Sequence, residues 1–312
     1  LVLGLSVRLY RLEQMANYDY DQEYVTNFVL DVVKVYPIRF IGQGLSVQGL
    51  FMGAWYFYAM VPGYMLTGLD PLGGFVTSVL IGMLIIYGYY LVGKVILSKE
   101  AGLIAAFLRA TSFYSIDSDW TMIPSHSSDL SILVSIFCLY KIYHGKNFYF
   151  YPLALAFGLF TSFHPIQFPF FLIAFLLLII WRKRVPIKTA ILSFVLLCLP
   201  SVPIIFFDYL RKWTMARQLL SMFTSGGSGT QSAPITERFF GMLKIVNDFF
   251  GELIYLNSVS KILVAILLGI TVFFVIWFVK DRKDKKFHLS LITTTFSIFI
   301  LYYTFFPTHV PE

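Results

Sequence analysis

The chain has 312 residues, of which 58% are hydrophobic and only 13% are charged, with a formal net charge of +7. Soluble globular domains carry about 25% charged residues, so this composition excludes a soluble enzyme, a disordered protein and a coiled coil. The remaining class is a membrane protein with several spanning helices. Both cysteines, Cys138 and Cys198, lie in apolar runs, which favours neither a disulfide framework nor a zinc site. Because the sequence begins at Leu1 and stops at Glu312 beside apolar segments, we expect it to be truncated at both ends.

Apolar stretches that approach the ~20 residues of a membrane helix recur along the chain. In chain order, the predicted helices are the tail of one helix at Leu1–Tyr10, then Gly74–Leu97, Ala101–Ile116, Leu130–Tyr143, Phe148–Phe163, Phe168–Trp181, Thr189–Phe207, Ile262–Val279 and Leu289–Phe306. The predicted fold class is therefore all-α, a polytopic transmembrane helical protein that forms one domain over residues 1–312. The stretch Leu50–Leu66 is ambiguous, because it is apolar but interrupted by glycine and proline.

The basic residues predict the orientation in the membrane. They are concentrated in four short loops: Lys94–Lys99, Lys141–Lys146, Arg182–Lys188 and Lys280–Lys286. Successive loops are separated by two predicted helices, so all four lie on one face, which the positive-inside rule makes cytoplasmic. The net positive charge thus reflects topology, and we expect no nucleic-acid partner. The segments predicted to be external are Asp117–Ser128, His164–Gln167, the large loop 208–260 and Thr308–Glu312.

The stretch Leu50–Leu66 decides the side on which the first polar loop lies. If it crosses the membrane, the acidic segment before it is cytoplasmic; if it only dips into the outer leaflet, that segment is external. Its aromatic residues, among them Trp55 and Tyr64, are typical of a helix at the membrane interface. We therefore favour an external first loop, residues 11–73, with juxtamembrane helices.

Each of the two large external loops contains a predicted surface helix. In the first, polar residues at helical spacing from Glu23 to Lys34 predict an amphipathic helix, with Asp19 or Asp21 at its N-terminus. In the second, the glycine-rich segment Ser225–Thr230 predicts a flexible hinge and Glu237–Tyr255 a second surface helix.

Charged groups near a bilayer are costly and therefore indicate candidate functional sites. The pair Asp19 and Asp21 has the spacing of metal-binding carboxylates, although a cap and turn explains it at least as well. Asp117 and Asp119 either stop a membrane helix or bind substrate. His164 either ends a helix or contacts a ligand. Arg109, inside a predicted helix, either reaches outward or pairs with an external acid such as Asp117.

Arg211 and Arg217 indicate a phosphate ligand. Two guanidinium groups on an external segment can hold a phosphate bidentately. A phosphate on the outer face of a membrane usually belongs to a lipid. A carboxylate base together with an arginine cluster suits transfer of a group from a lipid phosphate to a hydroxyl.

A series of motifs in order along the chain resembles the GT-C fold glycosyltransferases. The subgroup is the one that includes protein O-mannosyltransferases and the lipid A aminoarabinose transferase, the glycosyltransferase family 39 type. The motifs are Tyr20-Asp21-Gln22, Gly49–Tyr58, Gly68–Leu72, Gly93-Lys94, Ala101–Ala106, Gly158–His164 and Pro203–Arg211.

The resemblance implies an inverting transferase that uses a polyprenyl-phosphate sugar as donor and works on the external face of the plasma membrane. It assigns the catalytic carboxylate to Asp21, where the better-known members have a Glu next in sequence and this chain has Gln22. His309 would lie near the donor, with Arg211 and Arg217 on its phosphate. The remaining candidates for substrate binding are Gln22, Asp117, Asp119, His164 and Asp208.

The expected partners are the lipid-linked sugar, membrane lipids and an acceptor that is a protein, a lipid or a glycan. We expect no cofactor, because the arginines can neutralise the leaving phosphate; a divalent metal is the less favoured alternative. Two other functions stay open at this point. A transporter or lipid flippase would place ionisable groups at mid-membrane, and a polysaccharide polymerase or ligase would rely on Arg and His in a late loop.

Overall fold

The computed structural model describes residues 1–45, 47–224, 269 and 284–305. These residues fall into two compact units. The first is built from Leu1–Phe168 with Val185–Gly227, and the second from Pro169–Arg184 with Ser228–Glu312. The predicted helix Ile262–Val279, the hinge Ser225–Thr230, the surface helix Glu237–Tyr255 and His309 lie outside the described residues, apart from position 269.

The first unit is helical apart from one small β-hairpin. Its elements, in chain order, are α1 (Val2–Leu9), α2 (Leu12–Met15), α3 (Tyr20–Lys34), β1 (Ile41–Gly44), β2 (Phe51–Gly53), α4 (Trp55–Leu66), α5 (Leu72–Ile96), α6 (Lys99–Thr111), α7 (Phe113–Asp119), α8 (Ser128–Tyr143), α9 (Phe150–Phe163), α11 (Ile187–Cys198), α12 (Val202–Leu210) and α13 (Thr214–Thr224). Short 3₁₀ turns at Pro124–Ser127, Asn147–Tyr149, Pro165–Gln167 and Leu199–Ser201 connect some of them.

The second unit contains α10 (Phe168–Ile180) and α14 (Lys285–Phe305). They contact each other where α10 ends and α14 begins, beside the predicted basic loops Arg182–Lys188 and Lys280–Lys286. The indole N–H of Trp181 donates to the hydroxyl of Ser290 at 2.8 Å, and the Trp181 ring lies 5.3 Å from that of the fully buried Phe287. These two helices match the predicted spans Phe168–Trp181 and Leu289–Phe306.

The core of the first unit forms where α3 packs on α4. Val25, Phe28 and Val29 on α3 are fully buried, as are Phe57 and Tyr64 on α4. Each such side chain contributes roughly 1.5–3 kcal/mol when removed from water. The opposite side of α3 carries polar residues, so the amphipathic helix predicted from the sequence is present, with Asp19 as its N-cap.

The ambiguous stretch Leu50–Leu66 contains both a strand and a helix. β2 pairs antiparallel with β1, with Ile41 opposite Gly53 and Gly44 opposite Phe51. Gly53 passes so close to Ser162 of α9 that a Cβ atom would overlap its hydroxyl, so this position of the strand requires glycine. The all-α prediction therefore omitted this hairpin, and α4 begins only at Trp55.

Two helices in the described part of the chain are long and apolar enough to cross a membrane. They are Leu72–Ile96, with 25 residues and a mean hydropathy of 2.0, and Ile187–Leu210, with 24 residues and 2.5. In the second of these, Pro200 lies in the 3₁₀ turn between α11 and α12. Both are therefore candidate membrane spans by length and composition.

The predicted helix Ala101–Ile116 is broken into α6 and α7. Ser112 adopts an extended conformation with ψ of 125°, and its hydroxyl accepts a hydrogen bond from the Ser115 amide at the start of α7. Serine side chains favour this capping role over a place inside a helix. The break turns Asp119 back toward α5, which is the origin of the charged cluster described below.

Candidate functional site

The first turn of α3 presents one carboxylate outward and uses another as a cap. The Asp19 carboxylate accepts from the Asp21 amide at 3.2 Å, and the buried Gln22 side chain accepts from the Asp19 amide at 3.2 Å. This is a capping box, in which two otherwise unpaired amide groups are satisfied reciprocally. It accounts for the Asp19–Asp21 spacing and gives Gln22 a structural contact. Asp21, in the first turn, has its carboxylate available for other partners.

Asp21 is half-buried and is held by the hairpin. The Gln43 side-chain amide on β1 donates to Oδ1 of Asp21. One helical turn further on, the Tyr24 hydroxyl donates to the carbonyl of Gly42 at 2.7 Å. Burial raises the pKa of Tyr24 above its ordinary value, so this hydroxyl keeps its proton and stays a donor. Sequence analysis missed Gln43, because a single glutamine in a short strand carries no pattern.

The hairpin also packs on α12. The Phe51 ring of β2 lies 5.9 Å from that of Phe207, and the Phe40 ring lies 5.3 Å from that of Phe206. The Arg211 guanidinium, just after the end of α12, lies 5.2 Å from the Phe207 ring centre. One small structural element thus contacts both the helix that carries Asp21 and the helix end that carries Arg211.

Asp208 holds the next helix in place. Its buried carboxylate accepts from the amides of Met215 at 2.7 Å and Ala216 at 3.0 Å, in the first turn of α13. The geometry gives Asp208 a helix-capping contact. Arg217 lies one residue further along α13 and is exposed, as is Arg211. Neither guanidinium forms an ion pair with any carboxylate in the described part of the chain, so both are available to an anion.

Asp119 lies at the centre of a buried cluster of charges. The Arg8 Nε atom donates to Oδ2 of Asp119, while Arg109 donates to Oδ1 at 2.8 Å and to Oδ2 at 3.1 Å. The ring of His126 lies 3.2 Å from Oδ1. Gly82 of α5 makes room for this carboxylate, since a Cβ there would come within 2.5 Å of Asp119 Cγ. Both oxygens are engaged and the side chain is fully buried.

The cluster answers one question that the sequence left open. Arg109 pairs with Asp119, whereas Asp117 lies exposed on α7. The other two guanidinium nitrogens of Arg8 donate to backbone carbonyls, one to Gly4 at 3.1 Å and Ala110 at 3.0 Å, the other to Arg109 at 3.2 Å. Arg8 was not recognised from the sequence, although a lone arginine in an apolar segment is the signal that could have found it.

His164 follows the last residue of α9. It is half-buried, and burial lowers the pKa of its imidazole. The described residues contain no group of three or more His, Cys, Asp or Glu side chains arranged to hold a metal ion. The contacts described above connect Asp21 through Gln43 and the hairpin to Phe207 and Arg211, whereas Arg217 lies on α13 without a described contact to this group.

An apolar cavity of about 490 Å³ adjoins the start of α12. It is lined by Trp55, Leu155, Leu159, Leu199, Pro200, Val202 and Pro203. The Trp55 indole donates to the Pro200 carbonyl at 2.7 Å, which fixes α4 against the turn before α12. α12 has 9 residues, so the cavity and Arg211 are separated by roughly 13 Å along the helix axis.

The chain has a fold of the GT-C type. Among solved structures, it is similar to the crystal structure of ArnT from Cupriavidus metallidurans bound to undecaprenyl phosphate. The TM-score is 0.56 at 11% sequence identity, and the match covers 96% of this chain and 59% of ArnT. No protein family description and no curated protein sequence matches the chain.

Proposed function

We propose that the protein is an inverting glycosyltransferase that moves a sugar from a polyprenyl-phosphate donor to an acceptor hydroxyl. The observation that carries the proposal is the hairpin, which links a half-buried carboxylate, Asp21, to the helix end that bears Arg211, an arginine without an ion pair among the described residues. The GT-C fold and the undecaprenyl phosphate bound by ArnT support it. The acceptor is a protein, a lipid or a glycan.

Asp21 acts as general base in this proposal. The acceptor oxygen attacks the anomeric carbon from the face opposite the phosphate, while its proton passes to Asp21. The bond between the anomeric carbon and the phosphate oxygen breaks, so the anomeric centre inverts. General-base catalysis of this kind contributes on the order of 10²–10⁴-fold.

The leaving polyprenyl phosphate gains charge as that bond breaks. Arg211 and Arg217 stabilise it, since guanidinium groups match the geometry of phosphate oxygens. In this proposal the arginines, rather than a metal ion, neutralise the phosphate. His309, beyond the described residues, is proposed as a third group near the donor.

The apolar cavity beside Trp55 suits the lipid part of the donor. With the phosphate at Arg211, the first isoprene units would run along α12 toward the cavity, about 13 Å away. The cavity walls are apolar, and the lining residues Leu199 and Val202 are themselves about half exposed. Burial of isoprenoid carbons there contributes about 0.8 kcal/mol per CH₂ group.

We further propose that this site lies on the external face of the plasma membrane. The support is the positive-inside rule, which places the basic turns at Lys94–Lys99 and Lys141–Lys146 in the cytoplasm. These turns lie at the C-terminal ends of α5 and α8, whereas the loop that carries Asp21 precedes the N-terminal end of α5. Asp119 is fully buried and bonded to both Arg8 and Arg109, and Asp129 lies 3.5 Å from Arg109, so two acids face two arginines. This supports a structural role for that cluster over a transport path.

The test is the substitution Asp21→Asn, assayed in membranes that contain the full-length protein and a panel of polyprenyl-phosphate sugars. We expect transfer to fall by roughly 10²–10⁴-fold. Asp31→Asn is the matched control, because Asp31 lies on the same helix but pairs at the surface with Arg39 at 2.7 Å. Unchanged transfer by the Asp21 variant would exclude the proposed mechanism.

A further inference from the structure

Gln43 is a buried polar side chain in a strand that otherwise contains only isoleucine and glycine. Only 8% of its surface is exposed, and its side-chain amide donates to Oδ1 of Asp21. An ionised carboxylate accepts hydrogen bonds but cannot donate them, so the amide nitrogen of Gln43 must be the atom that faces Asp21. No other described side chain donates to Asp21.

We infer that Gln43 is a positioning residue that fixes the Asp21 carboxylate for proton transfer. The inference rests on the function proposed above. Because Gln43 binds Oδ1, Oδ2 stays open to the proton of an acceptor hydroxyl. A carboxylate held by one oxygen cannot rotate about its side-chain bonds without breaking that contact.

The register of β1 against α3 is fixed at two adjacent positions. Tyr24 lies three residues after Asp21, hence on the same face of α3, and its hydroxyl binds the Gly42 carbonyl at 2.7 Å. Gln43 then follows Gly42 directly. A strand anchored at one residue by a backbone carbonyl and at the next by a side-chain amide cannot slide along the helix without losing both contacts.

The second strand of the hairpin, β2, connects β1 to Arg211 through a series of contacts. Gly44 pairs with Phe51, whose ring packs on Phe207 at 5.9 Å. Phe207 in turn lies 5.2 Å from the Arg211 guanidinium. Gln43 therefore couples the carboxylate to the strand that contacts the phosphate-binding helix. A displacement of about 1 Å in such a site can cost on the order of 10²-fold in rate.

The experiment replaces Gln43 in two backgrounds, wild type and Asp21→Asn, in the full-length protein in membranes. Gln43→Leu removes the donor, and Gln43→Glu keeps the shape of the side chain but puts a second carboxylate beside Asp21. In the wild-type background we expect both variants to lower kcat by about 10–10²-fold. We expect the KM for the polyprenyl-phosphate sugar to change less than twofold, because the arginines are retained.

The Asp21→Asn background separates positioning from a general structural role. If Gln43 acts through the carboxylate, neither substitution lowers the residual activity of Asp21→Asn further, so the two effects are non-additive. An equal fold-loss in both backgrounds would overturn the inference, as would wild-type kcat in the Gln43 variants. Thermal unfolding in detergent shows whether the variants fold, and the isosteric Gln43→Glu provides the comparison if Gln43→Leu does not.

The outcome also separates this inference from the proposed function. If Asp21→Asn transfers sugar as the wild type does, the proposed function fails and the inference fails with it. If Asp21→Asn loses transfer but both folded Gln43 variants retain it, only the positioning role of Gln43 fails.

Discussion

Asp208 shows how one buried carboxylate can shape the segment that carries the candidate phosphate ligands. Its oxygens accept from two amides of α13, and its backbone carbonyl accepts from the Trp213 amide at 2.8 Å. Lys212 and Trp213, between the two helices, both adopt left-handed conformations with φ of 58° and 62°. Such conformations cost roughly 1–2 kcal/mol per residue, so the contacts of Asp208 offset part of this strain.

We predict that Asp208→Ala destabilises the protein by about 0.5–2 kcal/mol, the usual effect of losing an N-terminal helix cap. Asp208→Asn retains one acceptor oxygen and is expected to lose less. The measurement is thermal unfolding of both variants in the same detergent. Equal stability of wild type, Asp208→Ala and Asp208→Asn would contradict a capping role and return Asp208 to the candidates for substrate binding.

We predict that His164 makes the stability of the folded protein depend on pH. Burial lowers its pKa in the folded protein below the ordinary value of 6.5, because the charged imidazolium is poorly solvated there. The unfolded chain therefore takes up the proton first as the pH falls. The stability that comes from the neutral ring is complete above pH ~6.5 and is lost as the pH falls through the lower, folded-state pKa.

The corresponding variant is His164→Gln, which cannot take up the proton. We expect its midpoint of thermal unfolding to fall less steeply than that of wild type between pH 7 and pH 5, a window that brackets the ordinary histidine pKa of ~6.5. His126, whose pKa is lowered by burial in the same direction, is present in both proteins and contributes equally to both curves. Parallel curves would show that His164 does not contribute.

At the scale of elements, the hairpin depends on glycines for its close contact with α4. A Cβ atom on Gly42 would overlap the Phe57 ring and come within 2.8 Å of the Gly53 carbonyl oxygen. Phe57 is fully buried and cannot move aside. A Cβ on Gly44 would meet only the Leu50 carbonyl oxygen, at 3.9 Å, an ordinary contact.

We therefore expect Gly42→Ala to destabilise the protein by about 1–3 kcal/mol, as overpacking of a core does. It is also expected to lower transfer, because β1 carries Gln43. Gly44→Ala is the matched control in the same strand and is expected to keep both stability and transfer. Thermal unfolding and the transfer assay are the two readouts. If the two variants behave alike, the hairpin does not pack on Phe57 as described.

Local signals in the sequence were sufficient for some elements and insufficient for others. The helix α3 was predictable because Asp19 and the apolar spacing from Val25 onward are local features. The hairpin was not, because Ile-Gly-Gln-Gly has no strand pattern and its partners belong to α3 and α4. Likewise, the ion pair of Arg8 with Asp119 joins residues 111 positions apart. Distant partners of this kind cannot be assigned from one sequence.

For the molecule as a whole, α4 decides the sidedness of the candidate site. It has 12 residues, a rise of about 18 Å against ~30 Å of hydrocarbon in a bilayer. One side of it packs on the amphipathic helix α3, where Phe28 and Phe57 lie 5.1 Å apart and Thr26 bonds to Tyr64 at 2.8 Å. Amphipathic helices of this kind lie in the plane of the membrane interface, so α4 paired with α3 fits a juxtamembrane position better than a membrane crossing.

Cysteine labelling tests this topology. The native Cys138 and Cys198 are first replaced by alanine, and Asn27→Cys, Lys99→Cys and Lys146→Cys are then introduced one at a time, all at exposed positions. If α4 does not cross, an odd number of crossings separates position 27 from 99 and from 146. An impermeant maleimide added to intact cells then labels only Asn27→Cys, and permeabilised cells expose all three. If α4 crosses, the three positions share one side and are labelled together, which would place Asp21 on the cytoplasmic face with the basic turns and remove it from any external reaction.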